Sequence, residues 1–118
     1  MIRSIQNRAK NPGSTLLYAF DEFIATFEKK KEEGISSSGT LRHWRSTRKK
    51  VETFIAYRYH RRDLDFSEID HMFADEFFDY LTLHQYPPLS EVTARNQVKW
   101  TRQIVKIGVK KELSRVIR

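Results

Sequence analysis

Cysteine is absent from the 118-residue chain, and glycine and proline are scarce, with four and three residues respectively. Without cysteine, structural zinc fingers, iron–sulfur centres and disulfide scaffolds are excluded, and a reducing cytosolic compartment is expected. The glycines are scattered singly, so the chain has no glycine-rich phosphate loop. No apolar run approaches the ~18 residues of a membrane span, and Met1 is not followed by the apolar core of a signal peptide. The predicted setting is therefore the cytoplasm, without a membrane partner.

Apolar residues make up 39 % of the chain, which is enough for one folded domain, and the net charge of +7 favours a polyanionic partner. The charge is unevenly distributed. Residues 63–88 contain no lysine or arginine and hold a dense set of acids, whereas residues 35–62 and 89–118 are rich in bases. This distribution predicts two basic helices and one acidic helix.

Apolar spacing predicts an all-α fold of four helices. Ser14 or Thr15 can cap the first, Gly34 suits its end, and Ser37 or Ser38 can cap the second. Residues 63–70 are interpreted as an extended connector, with Asp70 capping the third helix and Ser90 the fourth, which is expected to run to about Glu112. The predicted inward positions are Leu16, Leu17, Phe20, Phe23, Ile24 and Phe27; Trp44, Thr47, Val51, Phe54, Ile55 and the stem of Arg58; Met72, Phe73, Phe77, Tyr80 and Leu81; and Trp100, Ile104 and Ile107.

The fourth helix carries bases at intervals of four, three, four and four residues: Arg95, Lys99, Arg102, Lys106 and Lys110. This spacing places them on one face. The second helix has a similar polar face: Arg42, Arg45, Ser46, Lys49 and Thr53. An ordinary solvated surface is one interpretation, but such helices usually mix charges of both signs. A row of one sign favours nucleic acid, whose phosphates offset the repulsion. Membrane binding is less favoured because the aromatic residues lie on the core faces.

No catalytic constellation is evident. His71 and Asp75 are the one His–carboxylate pair at a helical spacing suited to a metal, and two ligands are too few for zinc. Neither a metal nor another cofactor is predicted, and an enzyme contained wholly within this chain is not expected.

The order of motifs resembles the core-binding, SAM-like domain of tyrosine recombinases, the phage-type integrases. The resemblance begins with TLRHW in the basic second helix, is most specific in LDFSEIDHMFADEFFDYL, and continues through SEVTARNQ. It implies a bundle of two crossed helical hairpins that binds double-stranded DNA on one side of the recombination site, alongside other recombinase protomers. Carried over by position, the DNA contacts would come from Thr40, Arg42, Arg45, Lys49, Thr93, Arg95, Asn96 and Lys99, with Arg102 and Lys106 extending the stripe.

The resemblance also implies a larger catalytic domain in the parent protein. Its His-x-x-Arg motif does not occur here, since no histidine is followed by arginine three residues later. We therefore expect a non-catalytic fragment: residues 1–13 a tail or the end of an upstream segment, 14–113 the SAM-like domain, and 114–118 the start of a linker. Two departures from the family pattern, Gly108 in place of alanine and Glu112 in place of a closing glycine, predict a weakened helix four without a sharp end.

Two other functions fit the sequence. The acidic third helix could bind a basic protein as part of a free-standing interaction module. Alternatively, SEVTARNQVKW could be the recognition helix of a helix-turn-helix regulator, although HQYPPL is longer than the turn of that motif.

Overall fold

The computed structural model describes residues 15–34 and 38–117. This part of the chain forms four α-helices and no strand: α1 (Leu16–Glu32), α2 (Ser38–Tyr59), α3 (Phe73–Asp79) and α4 (Glu91–Ile117). A 3-10 turn, Phe66–Glu68, precedes α3, and a π-helical turn, Tyr80–His84, follows it directly. The predicted all-α, four-helix fold is confirmed.

The start of α1 is capped from a distant part of the chain. Thr15 occupies the N-cap position, but its side chain makes no capping hydrogen bond, and Ser14 lies outside the described residues. The Leu17 amide instead donates to Asp63 Oδ1 over 3.0 Å, and the Leu16 amide donates to the Leu64 carbonyl over 2.9 Å. The predicted capping role of Thr15 is therefore wrong. The connector between α2 and α3 satisfies these helix-terminal amides in its place.

The other predicted helix ends agree better with the structure. Gly34 follows α1 with φ of 76°, the left-handed conformation that glycine adopts without strain. Ser90 Oγ accepts the Thr93 amide at 3.3 Å, which confirms the cap of α4. Asp70 Oδ1 accepts the Met72 amide at 3.0 Å, one turn before the regular part of α3. Ser38 is the first residue of α2, and Ser37 lies outside the described residues.

One apolar core joins all four helices, with Phe54 of α2 at its aromatic centre. The Phe54 ring lies 5.5 Å from Phe73, 5.2 Å from Phe77 and 5.5 Å from Tyr80, measured between ring centroids. Most predicted inward positions are confirmed as buried: Leu16, Leu17, Phe20, Ile24, Trp44, Thr47, Val51, Phe54, Ile55, Phe73, Phe77, Tyr80, Leu81 and Ile104. Phe23, Phe27 and Trp100 are partly buried against the same core.

Two inward predictions are wrong, and the prediction for Arg58 concerned only the stem of its side chain. Met72 is exposed because it lies in the irregular turn before α3, and Ile107 is exposed on α4. The buried stripe of α4 instead follows Ala94, Gln97, Thr101, Ile104 and Gly108. The guanidinium of Arg58 points into solvent, where Nε donates to Glu76 of α3 over 3.0 Å.

The segment predicted to be an extended connector contains a tight turn. The Asp65 amide donates to Glu68 Oε1 over 2.9 Å, which forms half of a capping box around the 3-10 turn. Partial burial would raise the pKa of the Glu68 carboxyl, but the Asp65 amide and the Arg61 guanidinium outweigh that effect and hold the pKa below its usual value.

The same turn presses the Phe66 ring against α4 at Gly108. A Cβ atom at position 108 would lie 2.2 Å from Phe66 Cζ, closer than van der Waals contact permits. The glycine that lowers the helix propensity of α4 therefore allows a close approach between two elements. The helix continues past Glu112 to Ile117, so the predicted end at Glu112 is wrong.

Candidate nucleic-acid interface

The helices α2 and α4 meet at an aromatic contact in the middle of α4. The rings of His43 and Trp100 have centroids 3.6 Å apart, and Trp44 lies 6.2 Å from Trp100. Arg42 and Lys99 immediately precede His43 and Trp100 in the chain, and both are exposed. We name the exposed polar sides of these two contacting helices the candidate surface.

The α4 part of this surface is a row of exposed cations. The side chains of Arg95, Lys99, Arg102, Lys106 and Lys110 all lie at the surface, as predicted. Within residues 15–34 and 38–117, no carboxylate lies within ion-pair distance of Lys99, Arg102, Lys106 or Lys110. We name these four residues the α4 stripe. Arg95 differs from them, because its guanidinium pairs with Glu91 at 3.4 Å and lies 5.2 Å from the centre of the Phe78 ring.

The α2 part of the surface contains both paired and unpaired cations. Arg45 forms an ion pair with Glu28 of α1. Arg48 contacts Asp21 at 2.7 Å and Glu52 at 3.3 Å. Arg42 and Lys49 are exposed, and the described part of the chain places no carboxylate within ion-pair distance of either. The sequence did not predict which cations of α2 are paired, because their acidic partners Glu28 and Asp21 depend on how α1 packs against α2.

The polar residues carried over from the family resemblance lie in different environments. Thr40 is exposed near the start of α2, and Asn96 is half-buried on α4. Thr93 is exposed but takes part in the α4 cap, where its Oγ1 accepts a hydrogen bond from Ser90 Oγ over 3.1 Å. The Ser46 hydroxyl accepts a hydrogen bond from Lys50 Nζ over 3.0 Å.

Acidic side chains of α3 border the α4 stripe. A groove of about 790 Å³ separates the start of α3 from α4. Asp70 and Asp75 line one wall, and Lys99, Arg102 and Lys106 line the other. The surface thus changes sign across one groove, which limits how far toward α3 a polyanion can extend without repulsion.

Other kinds of site find little support in the described residues. His71 and Asp75 are both exposed, and no group of three or more histidine, cysteine or acidic side chains in this part of the chain could hold a metal ion. No described helix combines the length and apolar character needed to cross a bilayer.

The structure is a small all-α bundle with a basic surface formed by two adjacent helices. Residues 15–116 match the family model of the phage integrase SAM-like domain, and the chain belongs to that family. The matched family is the SAM-like module of integrases and not their catalytic domain, so the resemblance identified from the sequence is confirmed. Neither a search of curated proteins nor a search of solved structures found a significant match.

Proposed function

We propose that this chain is the DNA-binding module of a site-specific tyrosine recombinase, and that it grips the core recombination site through α2 and α4. The observation that carries the proposal is the α4 stripe, four exposed cations without an acidic partner among the described residues. Like charges three and four residues apart on a helix destabilise it by a few tenths of a kcal/mol per pair (about 0.2–0.5). A duplex, with one phosphate charge per ~1.7 Å of its axis, converts that cost into attraction.

The ion pairs divide the candidate contacts into two groups. Arg42, Lys49 and the α4 stripe can approach phosphates without losing an existing partner. Arg45 and Arg95 must first separate from Glu28 and Glu91. Arg95 and Asn96 lie near the start of α4, where an arginine can read guanine and an asparagine can read adenine in a major groove. We assign phosphate binding to the unpaired cations. The reading of base edges is assigned to Arg95 and Asn96, together with Thr40 and Thr93.

In this proposal, the SAM-like domain spans residues 14–113 and acts with a catalytic domain in the parent protein and with other recombinase protomers on DNA. DNA cleavage and joining then belong to the catalytic domain. The SAM-like module needs no cofactor, because its role is to position the duplex.

The alternative functions have weaker support. In a helix-turn-helix protein, a short recognition helix is presented after a tight turn. Here α4 spans 27 residues and contributes Ala94, Thr101 and Ile104 to the core. For the interaction module, the acidic surface of α3 is already partly neutralised, since Glu76 pairs with Arg58.

A pair of matched charge reversals tests the proposal. Lys99→Glu with Lys106→Glu removes two cations from the α4 stripe, and Lys29→Glu with Lys31→Glu makes the same charge change on exposed positions of α1. Binding to a mixed-sequence duplex is followed by fluorescence anisotropy across a salt series. Each phosphate contact contributes about −0.9 to the slope of log K against log salt concentration. The α4 variant should therefore flatten the slope by about 2, and the α1 variant should change it much less.

Two results would contradict the proposal. Equal losses in the α4 and α1 variants would indicate attraction by net charge alone. Loss of binding on reversal of Asp75 and Asp79, with binding retained in the α4 variant, would favour the interaction module.

A further inference from the structure

The basic surface has an uncharged end, where α2 finishes and α4 starts. Tyr57 lies seven residues after Lys50, so the two residues share one side of α2. Val92 lies seven residues before Lys99, so it continues the face of the α4 stripe. Their exposed fractions, 51 % for Tyr57 and 72 % for Val92, are high for apolar side chains.

The π-helical turn after α3 contacts the end of α2 and precedes the connector that leads into α4. The Tyr57 ring lies 5.0 Å from Tyr80 and is stacked on His84 at 5.6 Å, between ring centroids. Tyr86, two residues after His84, is 95 % exposed in the connector that leads into α4. The helices α2 and α4 also touch at a second point, between His43 and Trp100. We name Tyr57, His84, Tyr86 and Val92 the aromatic end.

We propose that the aromatic end is a non-ionic contact to duplex DNA, made to deoxyribose and to the methyl edge of thymine. The inference rests on the proposed function and extends it, because a duplex laid along the α4 stripe toward the start of α4 also covers Val92 and its neighbours.

The chemistry of these side chains fits duplex DNA. Apolar side chains in a groove contact the thymine methyl group, and an aromatic ring can cover the apolar face of a deoxyribose without requiring a charge. Such contacts add affinity that salt does not screen. The aromatic end would therefore compensate for the small number of phosphates that one small domain can reach.

Salt dependence separates this contact from the ionic ones. Covering the exposed half of the Tyr57 ring removes roughly 60 Å² of apolar surface from water, which corresponds to about tenfold in affinity. Tyr57→Ala should weaken binding about tenfold and Val92→Ala about threefold at every salt concentration. Plots of log K against log salt should shift in parallel, whereas Lys99→Glu with Lys106→Glu changes their slope.

Three controls accompany the experiment, which uses the same mixed-sequence duplex and anisotropy assay. Tyr57→Phe should bind like the unchanged chain, because the ring and not the hydroxyl makes the contact. Met72→Ala removes an apolar side chain that is 42 % exposed on the acidic side of the groove, between Asp70 and Asp75, and should leave binding unchanged. Circular dichroism melting checks that each variant is folded, and Val92→Ala and Tyr86→Ala keep the test valid if Tyr57→Ala loosens the packing against Tyr80.

Native affinity in the Tyr57, Tyr86 and Val92 variants, with the slope change retained in the α4 variant, would overturn this inference and leave the proposed function standing. Native affinity in both the aromatic-end variants and the α4 variant would overturn this inference and the proposed function together. If the aromatic-end variants bind DNA normally and instead lower self-association in sedimentation, the patch is a contact between copies of the chain, and the inference is wrong.

Discussion

Alanine at position 108 tests the close approach of the 3-10 turn to α4. The added Cβ would lie 2.2 Å from Phe66 Cζ and 2.8 Å from Cε2, so the ring must move. Replacing glycine by alanine inside a helix stabilises it by about 1 kcal/mol, whereas overpacking a filled site costs about 1–3 kcal/mol. The overlap should prevail, and Gly108→Ala should lower the free energy of unfolding by about 1 kcal/mol.

Removal of the ring should reverse the sign of this effect. In a Phe66→Ala background the overlap disappears, and Gly108→Ala should raise the free energy of unfolding by about 1 kcal/mol through helix propensity alone. Urea denaturation of the four variants, followed by tryptophan fluorescence, yields a coupling energy of about 2 kcal/mol between the two positions. Equal stabilisation by Gly108→Ala with and without the ring would refute the close approach as the reason for glycine at this position.

Thermal and urea denaturation check three further expectations. Asp63→Ala should lower the free energy of unfolding by about 1–2 kcal/mol because it removes the cap of α1, whereas Asp63→Asn should retain most of that stability. Equal losses in the two variants would argue against the cap. The Glu68 pKa is lowered on folding, so the ionised carboxylate stabilises the folded chain at pH values above its unfolded pKa. The difference in free energy of unfolding between the unchanged chain and Glu68→Gln should therefore shrink below about pH 4. Trp44→Ala should lower the free energy of unfolding by about 3–5 kcal/mol, and Trp100→Ala should lower it less, because Trp100 is only partly buried. A larger loss for Trp100→Ala than for Trp44→Ala would contradict this difference in burial.

Much of the fold follows from local chemistry in the sequence. Gly34 and Ser90 mark helix boundaries because left-handed backbone and hydroxyl capping are properties of single residues and their near neighbours. The buried faces of α2 and α3 follow from helical spacing for the same reason. The cap supplied by Asp63 could not be predicted, since it joins positions 46 residues apart. The lone glycine in the helical pattern of α4 predicted only a weaker helix, and nothing in the sequence identified Phe66 as its neighbour.

The candidate interface was predictable to a similar extent. Helical spacing correctly placed the five bases of α4 at the surface, because periodicity alone determines which side of a helix they share. Helical spacing could not predict the ion pair between Arg45 and Glu28, because that pair depends on how α1 packs against α2. The aromatic end was also missed. Tyr57 and Val92 belong to separate helices, and only the π-helical turn after α3 brings His84 against Tyr57.

That turn has a consequence for which changes in chain length the domain can accept. The Gln85 amide donates to the Tyr80 carbonyl five residues earlier, over 2.9 Å, so the turn holds one residue more than an α-helical turn would. In a regular helix, His84 would share the side of Tyr80 and Leu81 and would face the core. In the structure His84 is instead exposed and stacked on the Tyr57 ring. Substitution of the exposed Leu83 should therefore leave the surface in place, whereas deletion of one residue from the turn should restore α-helical spacing and change the surface presented at this end of the domain.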